Sequence, residues 1–398
     1  MLTNFSLCIL SGFINDFLGR KKSLVLAQLL YLSGWICTYF STTFQTLIIG
    51  RCLSGGGIGI STPSTLMYLS EISLIRHRGI LSLINSVTYN FFCCVCLALA
   101  ATLPFAWLIQ ISALPSCLFL LLVSFIPESP IWLTKRGRFH EAENSLQWLR
   151  GIKYKCQEEL EEMEIILKSK ENWKANVSQL KERTIFGPIL LLMTLILIQS
   201  FSGAIMIGDY AIDVFRRADV KYDHYVLSIM STGFCTTGYV SSTFLTTKLS
   251  RKFQFNMSAM IMAINLLLGG ITFKIMESGN NEFKAVGDVL LPLFVILACF
   301  GYGIGVGPIP FALLGEILPQ NMKAMASALV LTTRHFSLFV LLKFFPLFAT
   351  TFGLHSAFWF HSGFLSLAIV FAYFSIPETR GKTLTELSVL FPKKSATK

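Results

Sequence analysis

The sequence sorts its apolar and charged residues into alternating blocks, and that sorting constrains the fold more than any single motif. Apolar runs of about 20 residues, the length a helix needs to cross a bilayer core, fall at 23–41, 45–66, 80–101, 104–126, 185–208, 225–247, 254–274, 288–314, 325–348 and 354–375. A shorter run precedes Asp16. Only 14% of the 398 residues are charged, where a soluble domain carries about a quarter. The runs are continuous rather than alternating in and out, which excludes a transmembrane β-barrel. The reading is an all-α membrane protein of about 10–11 spans. No basic segment precedes the first apolar stretch, so no cleavable signal peptide is expected.

A net charge of +11 would suit nucleic acid if the basic residues formed a patch, but they lie in the hinges between runs. If the hinge at 20–22 is cytoplasmic, alternate hinges and the tail are cytoplasmic too, and 25 Lys and Arg fall on that side against 5 on the other. Lysine and arginine concentrate in cytoplasmic loops. The charge therefore reports topology, and the expected partner is the lipid bilayer, not nucleic acid. Ten cysteines, Cys93, Cys94 and Cys96 among them, lie mostly inside runs without paired metal-ligand spacing and read as packing residues. No metal site, G-x-S-x-G or P-loop pattern is present, so neither enzymatic activity nor a cofactor is expected. Sequons stand at Asn4, Asn176 and Asn256; the last two fall on the cytoplasmic side.

The long polar segment 127–184 divides the runs into two groups, and EELEEMEIILKSK within it spaces carboxylates and lysines for short amphipathic helices. The expected organisation is an N-terminal bundle at 1–126, a cytoplasmic linker at 127–184, a six-helix bundle at 185–378 and a tail at 379–398. The groups echo one another. FLGRKK, YLSEISLIRHRG and FIPESPIWLTKRGR in the first match TKLSRKF, LLGEILPQNMKA and SIPETRGKTL in the second. Glu71 and Glu316 are 245 residues apart, Glu128 and Glu378 are 250 apart. Such parallel repeats build major facilitator transporters, whose substrate site lies between the halves. By that symmetry the first group lacks a whole first helix and the outer half of the second. A shortened isoform or an incompletely read gene would explain this, and the second explanation is favoured.

Six ordered motifs resemble the sugar porter family of the major facilitator superfamily over essentially the whole chain. GFINDFLGRKK is similar to the family's G-x-x-x-D-R-x-G-R-R/K hinge, with Phe17 in place of its arginine. RCLSGGGIG resembles R-x-x-x-G-x-G-x-G, and Pro63, Tyr68, Glu71, Arg78 and Gly79 follow in the family's order. PESPIWL, GVGPIPFALLGEILP and PETRGKTLTEL complete the set, with Ile131 where arginine is usual. The QSFSG stretch and the PETRGKTL ending look most like the facilitated trehalose transporter branch. The resemblance implies a major facilitator fold of two pseudo-symmetric bundles, here lacking the first helix and part of the second.

It also implies roles. Asp16, Arg20, Glu71, Arg78, Glu128, Arg251, Glu316, Lys323 and Glu378 are the candidates for a cytoplasmic gate of ion pairs that must break for inward opening. In it, Glu71 is expected near Arg78, and Glu316 near Lys323 with Arg251 or Arg20. Gly55, Gly57 and Gly59 permit close helix approach. Gly305, Gly307, Pro308 and Pro310 weaken a helix in mid-span and are the candidates for a hinge. Sugar contacts map onto Gln199, Ser200, Tyr210, Ser86, Phe311 and Arg334. Gln199 and Tyr210 keep the family's residue types. Ser86, Ser200, Ile205, Asp209, Cys235, Phe311 and Arg334 depart from them. Each lost sugar partner costs about 1–3 kcal/mol, and Ser86, Ser200, Asp209, Arg334 and His335 are the candidate replacements. His355 and His361 read as structural. The expected function is facilitative transport of a sugar, trehalose or a hexose, by alternating access without a cofactor, by a monomer in the plasma membrane with the termini of the intact fold cytoplasmic. The alternatives are a transport-dead sugar sensor, a transporter of another small polar or anionic solute, and an inactive fragment.

Overall fold

The computed structural model describes residues 2–73, 78–151, 156–168, 183–278, 281–318 and 323–378. The tail 379–398 and linker residues 152–155 and 169–182 lie outside the described residues, as do the side chains of Arg78 and Lys323. The N-terminal half contains α1 (Leu2–Leu18), α2 (Arg20–Tyr39), α3 (Phe44–Ile72), α4 (Arg78–Thr102) and α5 (Phe105–Phe125). Three short helices follow, α6 (Pro130–Lys135), α7 (Phe139–Arg150) and α8 (Cys156–Lys168). The C-terminal half contains α9 (Arg183–Ser200), α10 (Ala204–Arg217), α11 (His224–Lys248), α12 (Arg251–Glu277), α13 (Asn281–Ile304), α14 (Ile309–Ile317), α15 (Lys323–Phe352) and α16 (Leu354–Ser375).

The helix ends follow local chemistry. Gly19 turns the chain from α1 to α2 at φ 94°, a conformation open to glycine and strained for other residues. Thr43 and Thr46 form a reciprocal capping box at the start of α3. Asp223 and Ser250 accept from the N3 amides of α11 and α12, at 2.9 and 3.2 Å.

Among the described residues, seven stretches are long and apolar enough to cross a membrane: Ile84–Thr102, Phe105–Phe125, Phe186–Arg217, Arg251–Glu277, Phe283–Ile317, Ala326–Phe352 and Leu354–Ser375. Helices α2, α3 and α11 have the length, 20, 29 and 25 residues, with a more polar composition. Two apolar runs prove to be paired helices. The run read as ending at 208 continues to Arg217 through a break at 201–203, and the one at 288–314 is broken between Ile304 and Ile309.

Glycines decide how closely helices approach. A Cβ on Gly59 of α3 would lie 2.5 Å from the carbonyl oxygen of Asn4 in α1, and one on Gly57 would lie 2.9 Å from that of Ala27 in α2. Gly238 plays the same part between α11 and α13, where a Cβ would come within 2.5 Å of the Phe300 carbonyl.

The two halves are packed unequally. One continuous apolar core runs through the C-terminal half from Ile189 to Ile376. The described residues of the N-terminal half contribute only isolated buried apolar side chains, such as Cys8, Leu24, Ile60 and Val123. Helix α4 packs chiefly on α11 and α14 of the other half, while α1 packs on α15. None of its most apolar window, within Ile84–Thr102, is buried.

Candidate functional site

Four of the gate candidates, Asp16, Arg20, Glu71 and Glu128, meet where the linker helices join the first half. Arg20, the first residue of α2, is 4% exposed and grips Glu71 of α3 with two N–H groups along one edge of its guanidinium: Nε donates to Oε2 at 2.9 Å and Nη2 to Oε1 at 2.7 Å. This forked geometry is the strong form of a carboxylate–guanidinium pair. Arg20 also donates to the Asn15 carbonyl at 3.2 Å and reaches Asp16 at 3.4 Å. The Ser129 hydroxyl donates to Glu71 from the other side. Arg20, 51 residues away in sequence, is thus a partner of Glu71; the side chain of the expected neighbour Arg78 lies outside the described residues.

Glu128 has a different task. Its Oε1 accepts from the backbone amides of Arg20 at 2.9 Å, Lys21 at 3.1 Å and Ser129 at 2.9 Å. A carboxylate there satisfies free amides at the start of α2 and complements the helix dipole. Asp16 pairs with Lys135 at 3.0 Å, and its carbonyl accepts from Trp132 Nε1 and from Arg136, at 3.0 and 2.9 Å. The linker helices are thereby fastened to the α1–α2 turn.

The second half repeats the central pair. Arg251, the first residue of α12, donates through Nη2 to Glu316 near the end of α14 at 2.8 Å and through Nη1 to the Thr246 carbonyl at 2.8 Å. Each arginine opens the corresponding helix of its half and pairs with a glutamate at the end of another, so the repeat read in the sequence is also a repeat of contacts. Glu378 lies past the end of α16 as Glu128 lies past the end of α5.

A second group of polar residues lies inside the C-terminal half, where two helices are broken. Freed backbone groups inside a bilayer need internal partners, and side chains of neighbouring helices supply them. Ser258 of α12 accepts from the Val306 amide at 2.8 Å and donates to the Gly301 carbonyl at 2.6 Å. Gln254 donates to the Ile304 carbonyl at 2.7 Å. At the other break, Gly203 adopts φ 89° beneath the His361 ring, and His361 Nδ1 lies 2.8 Å from the Phe201 carbonyl. The break at Gly305, Gly307 and Pro308 is thus held from α12, with Pro310 in the first turn of α14.

Gln199 joins the two breaks. Its Nε2 donates to the Gly307 carbonyl at 2.5 Å, while its fully buried Oε1 has no partner. The next residue, Ser200, has its hydroxyl 2.8 Å from that of Ser337 on α15. Arg334, one turn earlier on α15, lies over the Phe311 ring at 5.5 Å. Gln199, Ser200, Ser337, Arg334 and Phe311 therefore form one linked set. Tyr210 stands apart: its hydroxyl donates to the Leu342 carbonyl at 3.0 Å and its ring packs on Phe345 at 4.9 Å. Asp209 beside it is exposed. From the other half, Asn90 donates to the Ser86 carbonyl at 2.9 Å, and the Cys235 thiol of α11 reaches Asn90 at 3.6 Å. Ser86 is thus on the face of α4 turned toward the opposite half.

The sequence reading missed Asn90, Gln254, Ser258 and Ser337. Asn90 and Gln254 carried a usable signal, an amide set in an apolar run; serines are too common in these helices to stand out. An apolar cleft of about 350 Å³ between α1, α2 and α3, lined by Leu7, Leu30, Ile49 and Leu53 among others, is separate from both groups. Among the described residues, no cluster of His, Cys, Asp and Glu could hold a metal ion.

Comparison with known proteins agrees with this architecture. The family model described as "Sugar (and other) transporter" matches residues 2–391. The facilitated trehalose transporter Tret1 of Polypedilum vanderplanki is 31% identical over 386 residues, covering 95% of this chain and 75% of that protein. Tret1 of Aedes aegypti is 29% identical over 384 residues, 95% of this chain and 47% of the relative. Among solved structures, the major facilitator superfamily proton:xylose symporter XylE, bound to 6-bromo-6-deoxy-D-glucose, superposes with a TM-score of 0.80 at 22% identity over 98% of this chain and 88% of its own. That likeness shows the major facilitator fold.

Proposed function

The chain belongs to the sugar (and other) transporter family, and from that premise we propose that it carries a carbohydrate down its gradient across a membrane by alternating access of its two halves. The plasma membrane is the proposed location, with the linker helices on the cytoplasmic side and a monomer as the working unit. Trehalose, the solute in the name of the Tret1 relatives, and hexoses are the starting candidates.

The observation that carries the reading is Gln199. An amide oxygen that is fully buried without a partner is costly unless a ligand donates to it. Sugar hydroxyls are such donors, and the paired hydroxyls of Ser200 and Ser337 lie beside it. Ser86 and Asn90 supply polar groups from the opposite half, Phe311 an apolar face, and Tyr210 a tether between α10 and α15. In the proposed cycle the Arg20–Glu71 and Arg251–Glu316 pairs hold the linker-side ends of each half together. Their loosening, joined by Arg78, Lys323, Asp16, Glu128 and Glu378, accompanies opening on that side. The breaks at Gly203 and at Gly305–Pro308 are where α9–α10 and α13–α14 bend.

The test is uptake into proteoliposomes of a labelled panel of neutral and acidic sugars, with Gln199→Leu as the comparison. Saturable uptake of at least one sugar, lowered tenfold or more in that variant at equal protein, is expected. A folded, reconstituted wild-type protein that moves none of the panel would overturn the transport reading.

A further inference from the structure

Among the described residues, Arg334 departs from the way Arg20 and Arg251 are accommodated. Arg20 is paired with Glu71 and Arg251 with Glu316. Arg334 stands in the middle of α15, partly buried, and its enclosed Nε has no hydrogen-bond partner. Among the described residues no carboxylate forms an ion pair with it. What surrounds it is neutral: the Phe311 ring under one face, and Tyr89 of α4, Tyr239 of α11 and Tyr302 of α13 within its electrostatic reach. A guanidinium cannot shed its proton to escape such a setting. Charged side chains inside a membrane protein are costly, and by default mark a ligand or ion path with a counter-charge to be named.

Among the described residues the carboxylate in this region is Asp209, which influences Tyr89 and Cys93 but makes no ion pair with Arg334. The counter-charge is therefore to come from outside the described chain. The geometry states what kind. The Phe311 ring occupies one face of the guanidinium, which fixes its plane and leaves its edge, the fork that matches a carboxylate, for a ligand. A single positive charge balances a monoanion; a phosphate dianion would leave one negative charge uncompensated in a weakly polar site. Arg334 is also continuous with the residues assigned above to sugar hydroxyls, because Ser337 bonds both its carbonyl and the Ser200 hydroxyl at 2.8 Å.

We propose that the substrate of this site is a carbohydrate bearing one carboxylate, a sugar acid of the uronate class, and that Arg334 binds that carboxylate. This rests on the transport reading above for the location of the site, and it narrows the substrate from neutral to anionic sugars.

Binding and flux separate the two claims. Calorimetric titration of the detergent-purified wild type with D-glucuronate, D-glucose, D-glucose 6-phosphate and sodium chloride reads the preference directly. Glucuronate is expected to bind about 30-fold or more tightly than glucose, the gain from a desolvated charge pair, and more tightly than the phosphate ester. Arg334→Gln removes that preference, and Arg334→Lys retains part of it. Equal or tighter binding of glucose, equal binding in Arg334→Gln, tighter binding of the 6-phosphate, or chloride binding that glucuronate fails to displace would each overturn the proposal. The wild-type comparison and Arg334→Lys decide it even if Arg334→Gln does not fold. Uptake of the same labelled sugars then tests the transport reading independently: glucose moved and glucuronate refused sinks only the anionic substrate, while glucuronate bound but nothing moved sinks only transport.

Discussion

Removing Arg20 should cost more stability than removing both members of its ion pair. Arg20→Met leaves the Glu71 carboxylate, 13% exposed, with the Ser129 hydroxyl as its remaining described partner. It also removes one of two donors to the Asn15 carbonyl, at 3.2 Å, leaving the Gly19 amide at 3.1 Å. Breaking a buried pair from one side costs about 3–5 kcal/mol, because the surviving charge stays desolvated. Glu71→Leu leaves the more deeply buried guanidinium with Asp16 at 3.4 Å and the Asn15 carbonyl at 3.2 Å, so its cost falls within the same range. The double variant leaves no orphan charge, and apolar replacements of similar size often restore much of the loss. Glu128 is unaffected in each case, since its contacts in this corner are to backbone amides. The expected coupling energy is therefore about 2–3 kcal/mol. The assay is a double-mutant cycle by reversible SDS titration in mixed micelles, with refolding checked for each variant. Additive single effects, or a loss below about 1 kcal/mol for Arg20→Met, the range of an exposed pair, would refute the argument that this contact is buried and forked.

Two further outcomes follow from backbone geometry. Ser258→Ala removes the partner of both the Val306 amide and the Gly301 carbonyl; at about 1–3 kcal/mol for each stranded group, it should lower the melting temperature clearly more than Ser366→Ala on α16, whose hydroxyl bonds only within its own helix. Gly59→Ala sets a Cβ 2.5 Å from the Asn4 carbonyl, so α1 and α3 must separate at a cost of about 1–3 kcal/mol, whereas Gly208→Ala meets no atom within 4 Å and should leave the same melt unchanged.

The fold was legible wherever a single helix carried its own signal. Hydropathy located the spans, and the prolines and glycines at 305–310 marked one break. The other break, at Ser202 and Gly203, was hidden because the apolar run passes straight through it; the Phe201 carbonyl it frees is met by His361, a partner 160 residues away. The charged motifs were visible as residues, and Arg251 was among the partners expected for Glu316, where it is found. For Glu71, proximity in the sequence suggested Arg78, whose side chain lies outside the described residues; the Arg20 contact, 51 residues away, had no such signal, since helix packing decides which ends meet. Apolarity also says nothing of what an apolar face touches. Helix α4 reads like any other span, yet its packing comes from the opposite half.

The cap on α2 has a consequence in time. Arg20 and Lys21 are made early, but the carboxylate that holds their amides belongs to Glu128, separated from Arg20 by 108 residues. At a synthesis rate of about 5–20 residues per second, α2 waits about 5–20 seconds for it. During that interval the start of the helix must be satisfied by water or lipid headgroups at the membrane surface, so α2 should enter the bilayer with its N-terminus still at the interface. The corner closes only when Glu128 and Ser129 arrive together. Assembly of the first half is thus paced by its last residues, and a ribosome pause just before position 128 would hold the half-built bundle open.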